Sequence, residues 1–309
     1  MEKNYTIEQG KFASADGRTE AAYYVFMPKG QPRAIIQISH GMSEYAMRYE
    51  PLADYLTGLG YLVCAHDHVG HGASVLGDDE LGYTCGAENM AADIHLLSVR
   101  MRERYPDTPW ILLGHSMGSF VARLYAALYP SDASALVIVG TAGPGNPTAL
   151  GKGVAKVVSA LRGDKYRSKL ITKMAFGGYN KRFPREGSEN SWLSRDRAVV
   201  EAYDGDPLCG FTFTAKGYYD LFDLIGRVSK PSWATQIPRS LPVFMISGEQ
   251  DPVGSYGRGV EKVYERLQRA GVEDVTLKLY PDMRHEIFNE IGRETVYADL
   301  AAWLSEHNF

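Results

Sequence analysis

The sequence predicts a doubly wound, mostly parallel α/β sheet interrupted by an inserted, mainly helical cap. Three observations carry this prediction. Short apolar runs (Arg33 to Ser39, Tyr61 to Ala65, Trp110 to Leu113, Ala135 to Gly140) alternate with segments whose apolar residues recur at helical spacing. Ala135 to Gly140 is apolar throughout, without the in-out alternation of a half-solvated strand, as expected where helices cover both faces of a sheet. After Gly140 the composition shifts, and no strong strand pattern returns until Leu241.

Taken in order, Tyr5 to Ser14 and Thr19 to Met27 read as antiparallel edge strands joined through Ala15-Asp-Gly-Arg18, where Asp16-Gly17 is a hairpin signal. Arg33 to Ser39 is the third strand and ends in His40-Gly41-Met42. Leu52, Tyr55, Leu56 and Leu59 give helical spacing over Tyr49 to Gly60, and Tyr61 to Ala65 is the next strand. A second helix spans Asn89 to Tyr105, with Ile94, Leu97, Val99 and Met101 apolar among charges. Pro106 and Pro109 end it before the strand beginning at Trp110. Residues 142–238 read as the cap, which divides the core into residues 1–141 and 239–309. Within it, Val154, Val157, Val158 and Leu161 form a stripe beside Lys152, Lys156 and Arg162, which either packs onto the core or rests transiently on a lipid surface. Leu241 to Ser247 and Val275 to Tyr280 then resume the sheet, with a helix from Val260 to Ala270 between them and a closing helix from Thr295 to Ser305.

Composition narrows the function classes. A chain of 309 residues with 45% hydrophobic and 23% charged residues can bury a sizeable core, which excludes disordered and fibrous classes. The net charge of −4, with Lys and Arg scattered, argues against a nucleic-acid partner. The N-terminus lacks a secretory pattern and no stretch has the length of a membrane span, so the expected location is cytoplasmic, peripheral at a membrane if the cap stripe faces lipid. Cys64, Cys85 and Cys209 are odd in number and widely spaced, which suggests neither a disulfide framework nor a zinc site. Nothing in the sequence reports the oligomeric state.

The chemistry centres on Gly114-His-Ser-Met-Gly118. An apolar strand precedes it and helical spacing through Phe120, Leu124, Ala127 and Leu128 follows, so Ser116 sits on a tight strand-to-helix elbow with glycines on both sides. A serine hydroxyl needs a base and a third group that orients the base. Asp251 follows the strand Val243 to Ser247 and His285 follows the strand Val275 to Tyr280, both beyond strand carboxyl ends, in the order Ser, Asp, His found in α/β hydrolases. Glu249 and Asp282 compete for the acid position, and His115 and His307 for the base. The amide of Met117 and that of Met42, turned by Gly41, are the expected oxyanion donors. His66, His68 and His71 lie in a loop without helical metal-ligand spacing, so they are expected to take part in hydrogen bonds with Asp67 rather than hold a metal.

The segments His40-Gly-Met-Ser-Glu44, Arg48-Tyr49-Glu50, Ala65-His-Asp-His-Val-Gly-His-Gly72, Leu113-Gly-His-Ser-Met-Gly118 and Asp206-Pro207-Leu208 resemble those of the monoacylglycerol lipases and related bacterial lysophospholipases, members of the α/β-hydrolase superfamily. The resemblance spans nearly the whole chain. It implies a serine hydrolase without cofactor or metal that cleaves small-molecule esters bearing one acyl chain through an acyl-enzyme, with Ser116, Asp251 and His285 as triad and Met42 and Met117 as oxyanion hole. Phe211, Phe213 and Tyr218 of the cap, with His40 and Gly41, are the candidate substrate-binding residues. A departure in the cap, Phe176 to Glu189, bears on acyl length and head group. A peptidase acting on amino-terminal residues, held by Glu186, Glu189, Asp204 or Asp206, remains the alternative on the same triad. A ligand sensor with an idle hydrolase pocket is the alternative of another class.

Overall fold

The computed structural model describes residues 3, 5–145, 147–184 and 186–309. Its sheet has eight strands: β1 (Tyr5–Ala13), β2 (Glu20–Pro28), β3 (Ile35–Ser39), β4 (Leu62–His66), β5 (Trp110–His115), β6 (Ala135–Val139), β7 (Val243–Gly248) and β8 (Val275–Tyr280). Their spatial order is β1-β2-β4-β3-β5-β6-β7-β8. The pairs β1/β2 and β2/β4 are antiparallel and the others parallel. The hairpin therefore forms one edge, as its Asp16-Gly17 turn predicts, and Gly17 takes φ +70° there.

The core helices are α1 (Glu50–Gly58), α2 (Ala87–Arg104), α3 (Met117–Leu128), α9 (Arg258–Arg269) and α10 (Arg293–Glu306). Between β6 and β7 come α4 (Thr148–Arg162), α5 (Lys169–Phe176), α6 (Arg197–Gly205), α7 (Ala215–Val228) and the single turn α8 (Pro231–Ala234), with no strand among the described residues of that interval. Strand residues divide by parity. Ile36, Ile38, Val63, Ile111 and Leu113 pack with Leu52 and Leu56 of α1 and Leu300 and Leu304 of α10. Ile35, Leu62 and Leu112 face the other way, onto Ile94 and Leu97 of α2 and Val121 of α3. Both faces are thus buried, which is why β6 is apolar throughout. The strand and core-helix boundaries fall within two residues of the sequence expectation, and a 3-10 turn over Ala46–Tyr49 precedes α1.

The strand order bears on where a site can form. The chain runs from β3 outward to β4 and then returns to β5 on the other side of β3, so the crossover direction reverses between β3 and β5. Loops leaving the carboxyl ends of those two strands part there and leave a crevice. They are His40-Gly41-Met42 and Ser116.

The insertion is anchored beneath α3 by Arg123, whose side chain is fully buried. Its guanidinium donates to Thr141 Oγ1 (3.2 Å) and Ala142 O (3.1 Å), where the chain leaves the core, and to Val228 O (2.6 Å), where it returns. Trp233 stacks on it at 4.3 Å. Burial lowers its pKa to about 9, so it remains charged at neutral pH. Arg123→Ala would leave those carbonyls buried without donors and should lower unfolding free energy by at least about 2 kcal/mol, measurable by urea titration.

Candidate active site

Ser116 joins β5 to α3 at φ 53°, ψ −118°, a left-handed conformation that a non-glycine residue adopts only under constraint. The constraint is close packing. A Cβ at Gly118 would overlap the carbonyls of Ser39 and His40, and one at Gly114 would overlap the Gly118 carbonyl. The two glycines let α3 press against β5 and the end of β3, and the serine at the crossing is pushed outward. Its amide is fixed by Val139 O at 3.0 Å.

Asp251 and His285 converge although 34 residues separate them. His285 Nδ1 lies 2.9 Å from Asp251 Oδ2, and both side chains are buried. Asp251 also accepts the Val253 N–H at 2.8 Å, which fixes the carboxylate plane. Of the competing residues, Glu249 and Asp282 are exposed. His307 is bound to Asp274 and the Trp303 carbonyl near the C-terminus. His115 points beneath the elbow, where Nδ1 meets Tyr49 Oη at 2.8 Å and Glu44 Oε1 at 3.2 Å.

Ser116, His285, Gly41, Met42 and Met117 line one cavity of about 800 Å³, walled also by the insertion through Phe176, Tyr179, Trp192, Phe211 and Tyr218. The amides of Met42 and Met117 bond to no described residue. Two of the expected substrate contacts are corrected. Phe213 is fully buried and does not reach the cavity; its ring packs on His71 (5.2 Å) and Tyr218 (5.9 Å), beside the backbone of Gly82. His40 also lies behind the wall, with Nδ1 on Gly41 O (2.8 Å) and Nε2 accepting the His68 N–H (2.9 Å). It shapes the loop from below. Neighbouring aromatics in sequence alternate between cavity and core, which composition cannot resolve.

The histidine-rich loop forms a ring cluster: His40 and His68 are tilted with centroids 4.6 Å apart, and His66 and His68 meet edge-to-face at 4.9 Å. No group of three or more candidate ligands suited to a metal ion occurs among the described residues. Asp67 ties two loops together by accepting the N–H groups of Ala46 and Ala73, both at 2.8 Å. A Cβ at Gly72 would overlap that carboxylate, which explains the glycine.

Sequence reasoning assigned no role to the charges around this framework. Arg48 bridges Glu44 (2.8 Å) and, with two bonds of 2.7 Å, Glu286, so a buried ion network joins the loop after β3 to the loop carrying His285. Glu44 also accepts the Gly41 N–H at 2.6 Å. Burial opposes ionisation of Glu44, but His115 and Arg48 outweigh it and hold its carboxyl below the usual range. Burial likewise disfavours charge on His115, and Glu44 reverses the balance upward. The available signal was that Arg284 and Glu286 flank a candidate base expected to be buried, where charges must be paired.

The fold and site define an α/β hydrolase of the serine hydrolase class. Residues 30–292 match the family described as serine aminopeptidase, S33, and the chain belongs to that family. It is similar to a monoacylglycerol lipase of Mycolicibacterium smegmatis, 31% identical over 98% of both chains. It is also similar to the human monoglyceride lipase, 30% identical over 95% of this chain and 89% of that one. Among solved structures, a thermostable carboxyl esterase of Bacillus coagulans aligns with TM-score 0.92 and 30% identity over 98% of this chain and 99% of that one. A yeast monoglyceride lipase, 20% identical, shares the fold at TM-score 0.79 over 99% and 97%.

The buried histidines make stability depend on pH. Burial lowers the pKa of both His66 and His71 to about 3, below the unfolded value of about 6.5. Their neutral forms are therefore compatible with the fold, and the unfolded chain takes up more protons as pH falls. The stability these two histidines contribute is full above about pH 6.5 and is lost progressively from there toward pH 3. The urea midpoint should drop over that window, and His66→Phe should flatten the decline; an unchanged slope would contradict the assignment.

Proposed function

We propose that the protein is a carboxylic-ester hydrolase for lipids bearing a single acyl chain, of the monoacylglycerol or lysophospholipid type. The observation that carries this is His285, held from behind by Asp251, lining the same largely apolar cavity as Ser116. The names of the relatives agree with it. Ser116 Oγ attacks the acyl carbonyl while His285 Nε2 takes its proton, and Asp251 holds the imidazole through Nδ1. The Met42 and Met117 amides receive the oxyanion. The imidazolium then protonates the departing alcohol, and water activated by the same histidine releases the acid.

Asymmetry of charge supports collection of such substrates at a lipid surface. Residues 142–238 hold 15 Lys and Arg against nine Asp and Glu, or +6, and the remainder of the chain carries −10. The expected cap stripe is divided: Val154 and Val158 pack inward, whereas Val157 and Leu161, with Leu150, Leu170 and Met174, are exposed. No helix among the described residues is long and apolar enough to cross a membrane, so contact would be peripheral.

An aminopeptidase reading finds less support. Glu186 is paired with Arg284, Asp204 accepts from Ser188 and Asn190, and Asp206 from Tyr45. Glu189 alone of the four lines the cavity.

Two experiments test these readings. With monoacylglycerols, lysophospholipids, aryl esters and aminoacyl anilides compared, Ser116→Ala should abolish ester turnover and fluorophosphonate labelling with the fold intact, and Asp251→Asn should lower kcat by up to about ten-thousandfold. Undiminished turnover in the alanine variant would sink the assignment, and acyl binding without any wild-type labelling would favour a sensor. For the lipid surface, Val157→Asp with Leu161→Asp should weaken co-sedimentation with anionic vesicles about tenfold. Unaltered binding would count against the contact.

A further inference from the structure

Arg284, which precedes His285 in the chain, gives its guanidinium wholly to the insertion. The side chain is 8% exposed. Its two terminal nitrogens hold the carboxylate of Glu186, each at 2.6 Å, and Nη1 also donates to the carbonyls of Ser191 (2.6 Å) and Ser194 (3.1 Å). The guanidinium lies over the Phe183 ring, 3.9 Å from its centroid. Backbone bonds run in parallel: the Glu286 N–H donates to Leu193 O at 2.8 Å and the His285 N–H, more loosely, to Trp192 O at 3.5 Å. The Trp192 ring faces the imidazole at 5.0 Å.

A carboxylate on Nδ1 orients an imidazole but leaves its carrying loop free to shift, and proton transfer is sensitive to displacements of an ångström. Here the loop follows the edge strand β8, which has a sheet neighbour on one side only. Beside the Arg48–Glu286 bonds and the Asp251–His285 contact, it is supported by Phe183, Glu186 and Ser191 to Ser194 of the insertion. A forked ion pair suits that task, because two parallel bonds fix direction as well as distance. The hydrogen bond from Arg284 holds the Glu186 carboxyl below its ordinary pKa, so the pair stays charged through the neutral range.

We propose that Arg284 and Glu186 form a positioning pair through which the insertion sets the place of His285 relative to Ser116. The insertion then supports proton transfer for every substrate, including esters too small to fill the acyl cavity. This rests on Ser116 and His285 being nucleophile and base.

The test uses the full chain, with p-nitrophenyl butyrate as a short ester, and Glu186→Ala, chosen because Glu186 is one-third exposed. Lys152→Met, which breaks the Lys152–Asp223 pair elsewhere in the insertion (2.5 Å), is the control. Glu186→Ala should lower kcat by about tenfold to a hundredfold and slow fluorophosphonate labelling of Ser116 by the same factor. KM should stay within about twofold, the fold should be intact by circular dichroism, and Glu186→Gln, which keeps one acceptor, should recover part of kcat. Lys152→Met should leave kcat and labelling unaltered. The proposal is overturned if Glu186→Ala keeps wild-type kcat and labelling, changes KM alone, or loses no more than Lys152→Met does. A wild type that turns over esters but never labels at Ser116 would instead overturn the nucleophile assignment beneath it.

Discussion

A serine held at φ 53° stores about 1–3 kcal/mol of backbone strain, and the surrounding core has to supply it. It does so through the contact of α3 with the ends of β3 and β5, where Gly114 and Gly118 replace side chains by backbone. One contact has three consequences. It turns the hydroxyl outward, it starts α3 with the free Met117 amide, and it brings the loop His40-Gly41-Met42 alongside. The cavity, the expected oxyanion donors and the reach of His285 all depend on that approach, so the elbow is a structural requirement before it is a chemical one.

Around the elbow the protein buries several charges and pairs them across loops rather than within elements. Arg48 connects Glu44 with Glu286, Arg284 connects the loop after β8 with the insertion, and Asp67 connects the loops after β3 and β4 through backbone amides. Buried pairs of this kind add little net stability, because desolvation offsets the attraction, but breaking one is costly. Their value here is geometric. Each joins segments distant in sequence whose relative position determines the site, while the neutral histidines fill the space between without adding charge.

Much of the fold was legible because parity and periodicity are local. The apolar strands, the hairpin turn, the insertion after β6 and the order Ser116, Asp251, His285 follow from residues within a few positions of one another. Asp251 and Glu249 both follow β7, so position along the chain leaves them level, and it is the fold that puts Asp251 2.9 Å from His285 and leaves Glu249 exposed. Where sequence reasoning erred, it met alternation it had no means to read: Phe211 lines the cavity and Phe213, two residues on, is core; Val157 is exposed and Val158 packs inward.

The sequence by itself determined the strand order's raw material, the elbow and the chemical types at the strand ends, since these depend on backbone propensity and on residues adjacent in the chain. Only the tertiary structure decided which charges meet. Glu186 and Arg284 stand 98 positions apart and Arg48 and Glu286 stand 238 apart. No local pattern encodes such pairings, because an ion pair is chosen by the path of the whole chain, and that path brings the insertion down onto the loop that carries His285.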